Sequence, residues 1–70
     1  MRIKRDKAIE LRRTLKLTAL DLAEKADLRE EKVYQVERGR VRPTADEARR
    51  WAKALGVRVK EIFPDLEVEQ

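Results

Sequence analysis

Apolar side chains recur along this chain every three or four residues rather than every second one, so the pattern predicts helices throughout and no central sheet. Ala8, Leu11 and Leu15 mark the inner face of a first helix over about residues 4–15. Thr18, followed three residues later by Asp21, has the form of a capping box. It starts a short second helix over about residues 19–25, with Leu22, Ala23 and Ala26 inward. A break at Asp27-Leu28 separates this from a third helix over about residues 30–38, lined by Val33 and Val36 and closed by Gly39. Arg40-Val41-Arg42-Pro43 reads as a loop. Thr44 caps a fourth helix whose stripe is Ala45, Ala48, Trp51, Ala52 and Leu55, with Asp46 and Glu47 in the first turn, where the helix dipole favours anions. Gly56 ends it. A fifth helix over about residues 58–63 carries Val59, Ile62 and Phe63, and Pro64 stops it. The expected architecture is all-α, five short helices, with all the large apolar side chains in the core. Trp51 falls in register with the alanines of its helix, which makes it a core residue rather than an exposed stacking platform.

Length and composition remove several functions. Seventy residues make one domain with a small core. There is no cysteine and no histidine. Disulfides, thiolate metal sites, most zinc sites and His-assisted nucleophiles are therefore excluded. No loop of clustered Asp residues with a Gly is present to bind calcium or magnesium. The expectation is a non-enzyme with no metal and no cofactor. The start, Met1-Arg2-Ile3-Lys4-Arg5, is charged with no apolar run behind it, so it does not read as a secretory signal. No stretch approaches the ~18 apolar residues of a membrane span. A soluble, cytoplasmic protein with no membrane partner is expected.

Charge is plentiful and unevenly placed. Charged residues make up 46% of the chain, with 18 Lys+Arg against 14 Asp+Glu and a net of +4. Residues 1–16 hold seven basic and two acidic groups, and residues 42–60 hold six and two. Residues 61–70 carry a net of −4. A basic start and a basic second half attract a polyanion. On its own, such charge is first of all that of solvated helix surfaces.

The second and third helices, joined by a turn of about three residues, have the helix-turn-helix pattern. Any helical bundle contains helix pairs, so the residue string matters more. Leu17-Thr18, Leu22-Ala23-Glu24-Lys25-Ala26, Val33, Val36-Glu37-Arg38-Gly39, Pro43-Thr44, Ala52-Lys53-Ala54-Leu55-Gly56-Val57 and Ile62-Phe63 together resemble the lambda-repressor-like (Cro/cI-type, XRE) helix-turn-helix family over about residues 8–63. The resemblance implies a five-helix domain over residues 1–63, followed by an acidic tail over residues 64–70. It also implies that the third helix enters the major groove of double-stranded DNA, in a homodimer reading two half-sites. Arg12 and Glu37 occupy the positions of an ion pair that locks the first helix onto the third. Base reading falls to Arg29, Glu30, Glu31, Lys32, Tyr34 and Gln35. Phosphate contacts fall to the backbone at Thr18 and Ala19, to Arg40 and Arg42 in the loop, to Lys4 and Arg5 in the N-terminal arm, and to Arg12. The function implied is a sequence-specific transcriptional regulator, a repressor or autoregulator.

Four positions depart from the family pattern. Ala19 stands where Gln is common, Lys16 and Asp27 stand where Gly is frequent, and Arg29 replaces a capping Ser or Thr, leaving Asp27 to cap the third helix in its place. Glu30-Glu31 is a conflict of another kind. Two acids suit a helix N-terminus but repel phosphates unless they read cytosines. The alternative is a protein-interaction module, such as an antitoxin or adaptor, that keeps the fold with weakened DNA binding. In the tail, Leu66 and Val68 alternate with Glu, a pattern that pairs as an edge strand with a second copy.

Overall fold

The computed structural model describes residues 5–66. Within them the chain forms five helices: α1 (Asp6–Thr14), α2 (Ala19–Ala26), α3 (Glu30–Glu37), α4 (Ala45–Leu55) and α5 (Val59–Ile62). The described residues contain no strand. The all-helical expectation is met. Lys4 and Val68, assigned above to the N-terminal arm and to a pairing edge, lie outside the described residues.

Capping chemistry sets where α2 and α4 begin. The Thr18 hydroxyl accepts from the Asp21 N–H at 3.0 Å, and the Asp21 carboxylate accepts from the Thr18 N–H at 2.9 Å. Thr44 and Glu47 repeat this at 3.1 and 2.8 Å. Each box satisfies two amides that have no intrahelical acceptor. α3 starts differently: Arg29 is its N-cap and makes no side-chain bond to it. Asp27 does not take over that role. It closes α2 in the left-handed region, at φ 56°.

The four longer helices end in one way. After each, the N–H of a left-handed residue bonds back three positions and the next N–H bonds back five, the Schellman arrangement. The left-handed residues are Lys16, Asp27, Gly39 and Gly56, and only two are glycine. The five-residue bonds run from Leu17 to Arg12, Leu28 to Ala23, Arg40 to Gln35 and Val57 to Ala52. Leu17, Leu28 and Val57 then turn inward against the core, so three of these caps are also packing contacts.

The core is built on Trp51 and Phe63, both fully buried and packed edge to face with centroids 5.3 Å apart. Leu22, Val33, Val36 and Val59 complete the largest fully buried set. Two residues placed inward by periodicity lie outside. Leu15 is 48% exposed because α1 stops at Thr14, and the left-handed turn at Lys16 hands the inward position to Leu17. Ala45, at the first position of α4, is exposed, and Ala54 is buried instead. Leu20 and Tyr34 are exposed as well, so the core does not use every large apolar side chain.

Candidate nucleic-acid interface

α2 and α3 pack on each other, and Leu22, Ala23 and Ala26 of one and Val33 and Val36 of the other are all buried in the shared core. The turn between them is residues 27–29. It is tied to α4 by Arg50, whose Nη1 donates to the Asp27 carbonyl at 2.7 Å. Nothing in the local pattern announces this bond, because Arg50 and Asp27 lie 23 residues apart.

α1 is clamped to α3 by the expected pair. Arg12 Nε donates to Glu37 Oε2 at 2.7 Å and Nη2 to Oε1 at 3.0 Å, while Nη1 donates to the Leu17 carbonyl at 3.0 Å. The two side chains are only 12% and 6% exposed. The hydrogen bond to Glu37 outweighs burial and holds the Arg12 pKa above its ordinary value. Every nitrogen of this guanidinium already donates inside the protein, which makes Arg12 a clamp between helices.

The outward face of α3 carries Glu30, Glu31 and Tyr34, with Arg29 just ahead of it, all exposed, and Gln35 half-buried. Gln35 Nε2 donates to Glu31 Oε1 at 3.2 Å. Lys32 is turned toward α4, where its Nζ lies 3.3 Å from Glu47 Oε1. Arg38 lies over the Tyr34 ring, 5.6 Å from its centroid. Past the end of α3, Arg40 and Arg42 are exposed.

Three residues assigned to phosphate by sequence are committed elsewhere, Arg12 in the clamp just described being the first. The Thr18 N–H goes to Asp21, as described, and Ala19, at the first helical position, is buried in the core at 4% exposure. Arg5 is not part of a free arm. Its side chain is 1% exposed, forks onto both carboxylate oxygens of Asp65 and lies over the Phe63 ring, 4.9 Å from the centroid. A buried arginine so placed fastens the two ends of the fold. Sequence gave no sign of it, because the partner is supplied only by tertiary packing. Asp65 also lies 3.9 Å from Arg42 Nε, and Leu66 packs against the core. The start of the acidic tail is thus part of the folded body.

Two helices locked at a fixed crossing by a three-residue turn, with one polar face outward and arginines just beyond it, define a DNA-binding helix-turn-helix domain. A family model described as helix-turn-helix matches residues 9–62, and the chain belongs to that lambda-repressor-like (XRE) family. No curated protein and no solved structure matches the chain. The family is one of DNA-binding regulatory domains and not typically of enzymes. Among the described residues no cluster of acidic side chains is arranged to hold a metal, and no helix is long and apolar enough to cross a membrane.

Proposed function

We propose that this protein is a sequence-specific regulator, a repressor or autoregulator, that lays α3 in the major groove and binds its site as a homodimer. The observation that carries the reading is α3 held against both α1 and α2. Arg12–Glu37 and the buried apolar seam fix α3 while its outer face stays exposed. Base reading then rests on Arg29, Glu30, Glu31, Tyr34 and Gln35. Phosphate anchoring rests on Arg40 and Arg42, both exposed just past α3. Lys32 contributes to the α3–α4 contact rather than to a base.

Selection from a randomised duplex library tests this. Enrichment of a palindromic site, with affinity falling steeply as salt rises, is the expected result. A second reading, a protein-binding module of the same fold, is favoured by one observation. The exposed start of α3 carries two acids, and the single lysine of that helix is paired with Glu47. Absence of any enriched site at low salt would decide for it.

A further inference from the structure

The exposed face of α3 contains one side-chain pair that is already organised, and its chemistry fits particular bases. We propose that Glu31 and Gln35 act as one unit reading two neighbouring base pairs through their exocyclic amines, an adenine by Gln35 and a cytosine by Glu31. The inference rests on the major-groove docking proposed above.

The Gln35 carboxamide has two N–H donors and one acceptor oxygen. Adenine presents N7 as acceptor and N6 as donor, so a bidentate contact uses one N–H and the oxygen. The second N–H is left over, and here it is donated to Glu31 Oε1 at 3.2 Å. That bond also favours one of the two ways the amide can face. Turned over, it would set Oε1 against a carboxylate, acceptor on acceptor. The contact thus favours the amide orientation that suits adenine.

Glu31 only accepts while ionised. It stands in the first turn of α3, where the helix dipole stabilises the anion. In the major groove the donors are the amines of cytosine and adenine, whereas guanine N7 and O6 and thymine O4 only accept. A carboxylate there selects an amine and opposes a keto oxygen. The lysine of α3 does not cancel this, since its ammonium is drawn to Glu47. Glu31 and Gln35 stand one helical turn apart on the same face, about 5–6 Å between Cβ atoms. With base pairs stacked about 3.4 Å apart, that spacing serves neighbouring steps. On this view the acid on the helix face is the determinant of specificity rather than an obstacle to binding.

The test is library selection with the full chain and with Glu31→Gln and Gln35→Ala, alongside circular dichroism to confirm helix content. Wild type should enrich a site holding adenine next to cytosine. Glu31→Gln, which can donate as well as accept, should relax the cytosine position by roughly tenfold or more toward guanine or thymine and leave distant positions unchanged. Gln35→Ala should erase the adenine preference and weaken the cytosine preference with it, because Glu31 loses its partner. An enriched site in which the two substitutions change unrelated positions, or in which Glu31→Gln changes none, would overturn the pairing while leaving groove docking intact. No enriched site in wild type would overturn both.

Discussion

Arg5 and Asp65, sixty residues apart in sequence, close the beginning and the end of the described chain on each other through a two-pronged guanidinium–carboxylate contact. The arginine is almost wholly buried and lies over Phe63, while the aspartate keeps one edge in solvent, with a side chain 20% exposed. Phe63 is in turn edge-on to Trp51. The pair therefore sits on the aromatic centre of the core, next to the α3–α4 loop that carries Arg42.

Removing the charge of Asp65 alone should be costly. Asp65→Asn leaves a buried guanidinium without its counter-ion, and breaking a buried pair from one side typically costs about 3–5 kcal/mol. The open edge of Asp65 moves the expectation to the lower end, about 3 kcal/mol. Urea unfolding followed by the fluorescence of Trp51, the one tryptophan, measures it directly. A loss under about 1 kcal/mol would mean that the pair behaves as a surface contact.

The same contact predicts the response to acid. The Arg5 hydrogen bond, acting against burial, holds the Asp65 carboxyl below the ordinary aspartate range. In the unfolded chain that group titrates at about 3.9. A carboxyl depressed in the folded state stabilises fully above the unfolded value and loses that contribution as pH falls through the folded one. Glu47 shifts the same way: burial pushes it up, but the Thr44 amide and Lys32 together outweigh it. The urea midpoint should stay level from neutral pH to about 5 and fall steeply below about 4, with a shallower fall in Asp65→Asn. A midpoint indifferent to acid in wild type would contradict the assignment.

Local chemistry was legible in the sequence, and long-range pairing was not. The Thr18 box, the Thr44 cap, the helix ends at Gly39 and Gly56, and Trp51 in the core each depend on residues within a few positions of one another. The Arg12–Glu37 clamp was legible only through family resemblance. In sequence Arg5 reads as an arm residue, because a basic N-terminus looks alike whether it is solvated or buried, and the decision lies with Asp65. The ion pair of Lys32 with Glu47 is hidden from the sequence for a related reason. Helical register gives the face of α3 but not the position of Glu47 on α4. Periodicity points Leu15 inward because it continues past the last hydrogen-bonded turn, whereas the backbone reverses at Lys16.

That reversal supplies another prediction. Lys16 has φ 59°, where a side chain costs roughly 1–2 kcal/mol that glycine avoids. Its position is the same in the helix-ending motif as those of Gly39 and Gly56. Glycine also gains freedom in the unfolded chain, which offsets part of the benefit. Lys16→Gly should therefore stabilise the fold by about 0.5–1 kcal/mol, seen as a higher urea midpoint with an unchanged slope. Asp27→Gly should gain less, because Asp tolerates this region better than Lys and its carboxylate lies 3.4 Å from Arg50. Equal gains at the two sites would mean that neither residue type nor partner matters there.

Arg42 and Arg40 separate phosphate anchoring from base reading. Arg42 is exposed, with a side chain 65% accessible, and its 3.9 Å approach to Asp65 is a loose ion pair beside the tight Arg5 fork. A guanidinium held that loosely is free to exchange a carboxylate for a phosphate. Each phosphate neutralised releases condensed counter-ions, so its loss shows in the salt dependence of binding rather than in sequence preference. Arg42→Ala should weaken all duplexes alike and reduce the slope of log K against log salt by about 1. Arg40→Ala should do the same, and the double variant should reduce the slope by about 2. Neither substitution should alter the site enriched from a random library, in contrast to Gln35→Ala. If Arg42→Ala shifted the enriched sequence while leaving the slope intact, the loop would be reading bases or groove shape, and the phosphate anchor would have to lie elsewhere on the domain.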